Sequence, residues 1–324
     1  MTKLAIDLSN EIDQINDHLS NLRDNSPYDD EINDLIDYII QRGGKRIRPL
    51  ICLLSFEMIS NKERDDNSFA AACAVEVIHN ASLLVDDIFD KDIFRRQEKS
   101  FYLQYSTFAA LSLSYSMSSL ALSIASRTKA LEVVEVLIKA LHTLSSSLFL
   151  EQKFRNGVRK MTQDDALKLI DRKTSCLFEA GSLIGVILGT SEEKDRALMK
   201  LFGKLFGRAF QLRDDILSLT STENELGKSG VWTDITNRIQ TYIVLEAIEL
   251  ANDEDKKILS EYYVQKLDHP PSKVKQIIVD SGAIESIKKI IISFTNEADE
   301  ILEKYPPSAA RDKLKEITAS LTLL

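Results

Sequence analysis

Hydrophobic residues recur at intervals of three or four positions along almost the whole chain, which is the spacing of one face of an α-helix. The pattern breaks at short polar, glycine or proline segments, at residues 24–31, 43–44, 60–68, 269–273 and 305–309. No segment of the sequence alternates between apolar and polar residues, as a half-buried β-strand does. The pattern therefore predicts an all-α protein, and the lack of a low-complexity linker predicts a single domain over residues 1–324.

Residues 100–126 carry no charged side chain, although charged residues make up 28% of the chain. The segment is long enough to span a bilayer. However, it contains nine serines, and no excess of basic residues flanks it. We therefore predict a helix that is buried on all sides within the protein, and no membrane span.

Composition narrows the class of protein further. Glycine (11 residues) and proline (6 residues) are scarce, which favours long helices over sheets with many tight turns. The net charge of -9 repels nucleic acid, so we expect no nucleic-acid partner. The three cysteines are widely spaced, and the N-terminus lacks a basic, apolar targeting signal. These features predict a cytoplasmic protein without a disulfide framework.

The segment SLLVDDIFDKDIFRR, residues 82–96, places four aspartates in a stretch that is otherwise largely apolar. Asp86 and Asp90 are four residues apart, so on a helix they would share one face, where like charges repel. A buried carboxylate without a partner is also costly. The pattern therefore indicates that a cation binds at this face.

The same pattern recurs as RDDILS, residues 213–218. On a helix, Asp214 and Ser218 would share one face, with Gln211 and Asp215 beside them. Two such faces opposed in a helical bundle would form an oxygen-lined cleft, and Mg²⁺ is usually held by a few carboxylates together with substrate phosphates. The alternative interpretation is a solvated acidic surface, the usual explanation of a run of like charges.

A basic segment, GGKRIRP, lies earlier in the chain at residues 43–49. Lys45 and Arg48 are three residues apart and would lie on one side of a helical turn. Lysine offers phosphate a point charge and arginine a bidentate fork. The segment is therefore a candidate phosphate site that could accompany the acidic cleft.

Taken together, these segments resemble the trans-isoprenyl diphosphate synthases, the polyprenyl synthetase family. The resemblance runs in order along nearly the whole chain and comprises GGKRIRP (43–49), EVIHNASLLVDDIFDKDIFRR (76–96), EQ (151–152), KTSCLF (173–178), FQLRDDILS (210–218), LGK (226–228) and PPSAARDKL (306–314). It implies a helical bundle of the isoprenoid synthase type with a central active-site cavity. It also implies Mg²⁺-dependent condensation of isopentenyl diphosphate with an allylic diphosphate into a linear trans-polyprenyl diphosphate.

The resemblance further implies roles for individual residues. The residues that would hold Mg²⁺ are Asp86, Asp87, Asp90, Asp214, Asp215 and Ser218. Those that would contact the allylic diphosphate are Arg95, Lys173 and Lys228. Those that would bind isopentenyl diphosphate are Lys45, Arg48, His79 and Arg96. Thr174 and Gln211 would face the allylic cation with their oxygen atoms. The group expected to act in catalysis is therefore Asp86, Asp90, Lys173, Thr174, Gln211 and Asp214.

The sequence departs from the family pattern at several of these places. Ser218 stands where the family usually has a third aspartate, so metal binding there should be weaker. Ile239 stands at a lysine position, and the adjacent Arg238 is the candidate substitute. Arg155 stands where an acid is usual. Two alternatives therefore stay open: a class I terpene cyclase on the same fold, and a weakly active subunit that modulates a partner synthase.

Product length is expected to depend on the residues beneath the first aspartate motif, as in the family. Ala81 and Ser82, which precede Asp86, are both small and would not stop a growing chain. We therefore expect geranylgeranyl diphosphate as the product, with farnesyl diphosphate or a somewhat longer product as the open alternatives. The resemblance also implies a homodimer, for which the uncharged segment 100–126 would offer a suitable interface.

Overall fold

The all-α prediction is confirmed by a computed structural model, which describes residues 8–22, 26, 28–96, 98–157, 160–190, 192–220 and 232–323. The helices are α1 (Ser9–Ser20), α2 (Asp30–Gln41), α3 (Ile47–Ser60), α4 (Asp66–Asp90), α5 (Phe101–Gln104), α6 (Thr107–Ser126), α7 (Leu131–Arg155), α8 (Gln163–Ile170), α9 (Cys176–Gly189), α10 (Glu193–Thr220), α11 (Thr233–Thr236), α12 (Tyr242–Leu250), α13 (Asp253–Tyr263), α14 (Pro271–Asp280), α15 (Ala283–Leu302) and α16 (Ala309–Ala319). A π-helical turn (Asp171–Ser175) joins α8 to α9, and a 3₁₀ turn (Ser320–Thr322) follows α16.

One small antiparallel pair of strands interrupts the helical pattern after α4. The strands β1 (Phe94–Arg95) and β2 (Glu98–Lys99) have two residues each, and Phe94 pairs with Lys99. Strands of this length are too short to produce an alternation of apolar and polar residues that could be recognised in the sequence.

Most of the predicted breaks coincide with helix ends. Helix α2 ends just before Gly43 and Gly44, whose φ angles of 86° and 146° are easily adopted only by glycine. Helix α4 begins after Asp65, whose carboxylate accepts a hydrogen bond from the backbone of Ser68 in a capping box. Ser308 caps α16 in a similar way. These breaks fix where α3 and α4 begin. Helix α4 carries Asp86 and Asp90, whereas α3 carries Arg48 but not Lys45, which precedes the helix, so the two basic residues do not share a helical turn as the spacing predicted.

Helices α3, α9 and α10 pack side by side at unusually short range. A Cβ atom at Gly185 of α9 would overlap the carbonyl oxygen of Cys52 in α3, and one at Gly207 of α10 would lie 2.5 Å from the Cα atom of Ser175. Only glycine fits at such approaches. The three helices therefore form a dense central layer, which holds the π-helical turn and α10 in fixed relative positions.

Two long helices carry the aspartate motifs at their C-terminal ends. Helix α4 packs against α6 and ends at Asp90, whereas α10 packs against α9 and α15 and ends at Thr220. The buried apolar residues of the described chain form one contiguous core. This packing fixes both motifs relative to each other before any ligand binds.

The prediction that residues 100–126 are buried on all sides is wrong. Phe108 and Tyr115 of α6 are 85% and 77% exposed, and Phe149 of α7 is also exposed. Among the described residues, α4, α6 and α7 are long and apolar enough to cross a membrane by length and composition alone. The apolar stretch of α4 is largely inside the fold, while those of α6 and α7 are mostly at its surface. The uncharged segment therefore contributes one face to the core and leaves another uncovered.

Candidate active site

The two aspartate motifs border one cavity of about 310 Å³. Its walls contain most of the residues that the sequence singled out to bind the metal and the allylic diphosphate or to face the allylic cation: Asp86, Asp90, Arg95, Lys173, Thr174, Gln211, Asp214, Asp215 and Ser218. The solvated acidic surface considered as an alternative is not what the fold produces, because both motifs line the same cavity. Lys228 lies outside the described residues.

The structure does not bring Asp87 into this cavity, although the sequence suggested it as a metal ligand. Asp87 is 3% exposed, and its Oδ1 atom accepts a hydrogen bond of 2.6 Å from Nε of Arg95. Nη2 of Arg95 donates to Asp92 at 2.9 Å. Because adjacent helical residues point in different directions, Asp87 faces Arg95 while Asp86 faces the cavity. Asp87 therefore positions a cation of the site.

Lys173 reaches the cavity from the π-helical turn between α8 and α9. Its Nζ atom lies 3.1 Å from Oε2 of Glu151, 3.6 Å from Oδ2 of Asp90 and 3.9 Å from Oδ1 of Asp86. Burial lowers the pKa of this lysine, but Asp86, Asp90 and Glu151 outweigh burial and raise its pKa overall. Single π-helical turns often occur at functional sites, and this one supplies a permanently charged ammonium group.

The cavity holds more acid than its own cations neutralise. Burial raises the pKa of Asp86 to about 6; Lys173 opposes that effect, and Asp90 adds to it. Burial also raises the pKa of Asp215 well above its ordinary value, although a hydrogen bond from Gln211 lowers it. A raised carboxyl pKa means that the surroundings of the group in the folded protein destabilise its ionised form. A bound cation would relieve this destabilisation.

Thr174 and Gln211 form a short chain of hydrogen bonds across the cavity wall. Oγ1 of Thr174 donates to Oε1 of Gln211 at 2.5 Å, and Nε2 of Gln211 donates to Oδ1 of Asp215 at 2.8 Å. This chain fixes the orientation of the Gln211 amide, since each end of the amide has a partner of the matching type. The two side chains thus present fixed oxygen atoms beside the second aspartate motif.

A cluster of basic side chains, named the basic pocket from here on, lies next to the cavity. Nη1 of Arg48 is 3.2 Å from Nε2 of His79, and the Arg48 guanidinium lies 4.4 Å from the centre of the Phe178 ring. Nζ of Lys45 lies 5.8 Å from the ring centre of Phe210, which Arg48 also approaches. Arg96, whose neighbour Arg95 lines the cavity, packs against the backbone at Gly44. The sequence-predicted set of Lys45, Arg48, His79 and Arg96 is therefore gathered in one region.

The electrostatics of this basic pocket suit an anion. Burial lowers the pKa of His79 well below its usual value, and Arg48 and Arg96 lower it further. Burial also lowers the pKa of Arg96 to about 10. At neutral pH the arginines are therefore charged and His79 is neutral, with one ring N–H to donate. Because a guanidinium only donates, Nε2 of neutral His79 accepts from Arg48, and the ring N–H lies on Nδ1. A phosphate group would find the arginine charges close together.

Arg46 of the same basic segment was not singled out from the sequence. It is buried with a left-handed backbone, and its guanidinium donates to Oε1 of Glu76 at 2.7 Å and to the carbonyl of Ile40 at 2.7 Å. Glu76 also accepts from Asn80. Arg46 therefore holds the start of α3 in place, and only the three-dimensional arrangement separates its structural role from that of Lys45 and Arg48.

The chain around α11 adds polar groups that sequence reasoning missed. Asp234 lines the cavity, and one of its carboxylate oxygens lies 3.4 Å from Oγ of Ser218. Nδ2 of Asn237 donates to the carbonyl of Asp90 at 3.0 Å. This segment therefore connects the two aspartate motifs, and it brings a carboxylate next to the position where Ser218 lacks one.

Arg238 does not replace the lysine that is missing at Ile239. Its guanidinium donates to Asp268 at 2.5 Å and to the carbonyl of Lys266, and it lies over the ring of Tyr262. Ile239 itself lines the cavity. The expected substitution of Arg238 is therefore wrong, because its side chain is bound to the segment that follows α13.

The arrangement of carboxylates around the cavity decides which kind of metal site it can form. Among the described residues, no three His, Cys, Asp or Glu side chains converge into a ready-made metal site. The carboxylates instead come as one set at Asp86 and Asp90 and another at Asp214, Asp215 and Asp234. Mg²⁺ typically takes one or two carboxylates and completes its shell with water and substrate phosphates. The donor set therefore suits magnesium that arrives with a diphosphate.

Comparison with known proteins decides the family. The family model for polyprenyl synthetase matches residues 29–280. The chain belongs to the polyprenyl synthetase family. A geranylgeranyl diphosphate synthase of Sulfolobus acidocaldarius is 30% identical over 289 residues, which cover 87% of this chain and 83% of that protein. One of Methanosarcina mazei is 28% identical over 82% of this chain and 81% of that protein.

Solved structures of polyprenyl synthetases share the fold along nearly the whole chain. The geranylgeranyl pyrophosphate synthetase of Pyrococcus horikoshii Ot3 is 27% identical, with a TM-score of 0.85 over 97% of this chain and 96% of that one. A polyprenyl synthase of Caulobacter crescentus CB15, 23% identical, shows the same fold with a TM-score of 0.88 over 97% and 94% of the two chains. This polyprenyl synthetase is thus a prenyltransferase with the isoprenoid synthase fold. Because a terpene cyclase would have the same fold, it is the family match, and not the fold, that favours the prenyltransferase activity.

Proposed function

We propose that this polyprenyl synthetase condenses isopentenyl diphosphate with an allylic diphosphate and releases a linear trans-polyprenyl diphosphate, with geranylgeranyl diphosphate as the product. One observation carries the proposal: the two aspartate motifs share one cavity, and a separate basic pocket lies beside it. Two diphosphate substrates require two such places. The names of the relatives from Sulfolobus acidocaldarius and Methanosarcina mazei support the choice of product.

The allylic diphosphate would bind between the aspartate motifs. Lys173 and Arg95 line this space and are held by carboxylates, so their charges are in place before the substrate arrives. Mg²⁺, held by Asp86 and Asp90 on one side and by acids of the second motif on the other, would supply the further positive charge that a departing diphosphate needs. Preorganised positive charge at the leaving group stabilises the transition state of ionisation.

Isopentenyl diphosphate would bind in the basic pocket. Arg48 and Arg96 stay charged there, and neutral His79 accepts a hydrogen bond from Arg48 without adding charge. The adjacency of Arg95 and Arg96 in the chain sets the two pockets side by side. This arrangement would bring the double bond of isopentenyl diphosphate towards the allylic carbon from which the first diphosphate departs.

The carbon skeleton would pass through an allylic cation that the protein must protect from water. Oxygen atoms of Thr174 and Gln211 face the cavity and are fixed by their mutual hydrogen bond. The rings of Phe178 and Phe210 pack against the Arg48 guanidinium, and they place apolar surface beside the basic side chains. After carbon–carbon bond formation, the released diphosphate would accept the final proton, so no side-chain base is required.

The expected product length rests on the small residues that precede the first motif. Ala81 is buried in α4, and its carbonyl accepts a hydrogen bond of 3.0 Å from Ser114 of α6. Ser82 follows it in the same helix. Neither side chain carries an aromatic ring or a long aliphatic chain that would stop a growing prenyl chain early, which supports geranylgeranyl diphosphate over a shorter product.

The proposal is tested by incubating the purified protein with Mg²⁺, isopentenyl diphosphate and each of dimethylallyl, geranyl and farnesyl diphosphate. Mass spectrometry of the products should show geranylgeranyl diphosphate as the main species. A cyclic hydrocarbon formed without isopentenyl diphosphate would indicate the terpene cyclase. Absence of turnover with every pair of substrates would indicate the modulating subunit.

We also propose that a second copy of the chain covers the exposed apolar face of α6 and α7, giving a homodimer. Support comes from three large exposed aromatic residues, Phe108 and Tyr115 on the uncharged helix α6 and Phe149 on α7, which packs against it. Light scattering after size exclusion should give twice the chain mass of 36.6 kDa. The Phe108→Glu variant should instead have the mass of a single chain. Association of the wild-type chain with lipid vesicles would instead contradict the expected cytoplasmic location.

A further inference from the structure

Arg155, at the C-terminal end of α7, occupies a place where the family usually has an acid, and its guanidinium is directed at the first aspartate motif. Its Nη2 atom forms ion pairs with Oδ1 of Asp90 and, at 2.5 Å, with Oε1 of Glu151. The guanidinium carbon lies 4.4 Å from the ring centre of Phe89. Residues of α4 and α7 therefore surround the Arg155 guanidinium: the Phe89 ring lies beneath it, and the carboxylates of Asp90 and Glu151 pair with it.

Both carboxylate oxygens of Asp90 consequently face a cation of the protein. Oδ1 faces Arg155, and Oδ2 lies 3.6 Å from Nζ of Lys173. Glu151 bridges the two cations, since its own two oxygens contact Arg155 and Lys173. Asp86 has a longer contact, 3.9 Å, with Lys173. Within the first motif, the cations of the protein therefore lie closer to the carboxylate of Asp90 than to that of Asp86.

We infer that Arg155 is an internal counter-ion of Asp90 that Mg²⁺ must displace, and that it weakens Mg²⁺ binding at the first aspartate motif. The inference rests on the proposed function in one respect, because it takes Asp90 to be a magnesium ligand. It assigns Arg155 a positioning role: the residue acts through Asp90 and sets the magnesium concentration at which the site fills.

The physical reason lies in charge. A metal ligand contributes through its negative charge, and a guanidinium on the same carboxylate both occupies a lone pair and repels a divalent ion. Even at the dielectric constant of water, removal of one positive charge a few ångströms from a divalent ion should strengthen binding about tenfold. An acid at position 155, the usual residue in the family, would instead strengthen Mg²⁺ binding.

The test measures Mg²⁺ binding to the full-length protein by isothermal titration calorimetry with saturating inorganic pyrophosphate present. Arg155→Gln removes the charge and should lower the dissociation constant for Mg²⁺ about tenfold. Arg155→Lys keeps the charge and should stay close to wild type. The matched control is Lys153→Gln, which removes one positive charge from an exposed position of the same helix and should leave the affinity unchanged.

Unchanged or weaker Mg²⁺ binding in Arg155→Gln would overturn the inference, as would equal strengthening in Lys153→Gln, because the effect would then be one of net charge. Arg155→Met keeps the stem over Phe89 and repeats the measurement if the glutamine variant fails to fold. The readout does not involve prenyl transfer. A wild-type enzyme that forms no product while Arg155→Gln binds Mg²⁺ more tightly would contradict the proposed function and leave this inference supported.

Discussion

Replacement of Asp87 by alanine tests whether this residue is a metal ligand, as the motif alone suggests, or the buried partner of Arg95, as the structure shows. In the sequence, Asp86 and Asp87 are adjacent acids of one metal-binding pattern. In the fold, Asp86 lines the cavity, whereas Asp87 is buried against Arg95 with an N–O distance of 2.6 Å. We therefore expect Asp87→Ala to cost stability and to spare metal binding, and Asp86→Ala to do the reverse.

The size of the stability effect follows from the ion pair. Removal of one partner of a buried pair costs about 3–5 kcal/mol when the other charge is left unpaired. Arg95 keeps its contact with Asp92 and its side chain is 19% exposed, so a smaller cost of about 2–3 kcal/mol is expected. In a chain of this size, 1 kcal/mol corresponds to about 2 °C, so Asp87→Ala should lower the Tm by about 4–6 °C.

Asp86→Ala should leave the Tm unchanged or raise it. Burial raises the pKa of Asp86 to about 6, which means that its charge is unfavourable in the free protein at neutral pH. Without this carboxylate, however, the first motif loses a ligand for magnesium. The two adjacent aspartates should thus give opposite results in two simple measurements.

The assay is thermal unfolding at one protein concentration, with and without Mg²⁺ and inorganic pyrophosphate. Ligands at about 100 times their dissociation constant stabilise a protein by about 2.7 kcal/mol, so the wild-type Tm should rise by about 5 °C. Asp87→Ala should start lower and show most of this rise, and Asp86→Ala should show almost none. Loss of the rise in Asp87→Ala, with an unchanged starting Tm, would refute the assignment of the two carboxylates.

Three further predictions concern packing, pH and product length. Gly207→Ala places a Cβ atom 2.5 Å from the Cα atom of Ser175, so it should destabilise the protein by about 1–3 kcal/mol in chemical denaturation. An unchanged midpoint would contradict the close packing of α10. The pKa of His79 is lowered in the folded protein, so its own contribution to stability falls from pH 7 to pH 5, whereas the raised pKa values of Asp86 and Asp215 act in the opposite direction. His79→Gln should therefore gain stability relative to wild type as the pH falls from 7 to 5, and a constant difference between the two proteins would exclude a contribution of His79. Ala81→Phe should shorten the product measured by mass spectrometry, whereas an unchanged distribution would place the length stop elsewhere.

The sequence was sufficient for the fold class and for the groups that meet in the cavity. Helical periodicity predicts the long helices, since each buries one apolar face, and the four-residue spacing places Asp86 and Asp90 on one side of α4. The family pattern adds Lys173, Thr174 and Gln211, which come from distant parts of the chain and would not be connected by local spacing.

Other features depend on tertiary contacts that local patterns do not contain. The uncharged segment 100–126 gave no indication that one face of α6 is exposed, because an interface and a core have the same composition. Arg238 looks like a substitute cation in the sequence but is bound to Asp268 in the fold. Asp234 reaches Ser218 only because the chain folds back over the second motif. In each case the deciding partner is remote in sequence.

The central claim is that the two aspartate motifs share one metal-bound diphosphate. The most direct test is a crystal structure of the protein with Mg²⁺ and an unreactive allylic diphosphate analogue. We expect magnesium ions between the diphosphate and Asp86 and Asp90 on one side, and between the diphosphate and Asp214 on the other, with Lys173 in contact with the phosphate oxygens. A diphosphate that binds only in the basic pocket, or metal that contacts only one of the motifs, would contradict the claim.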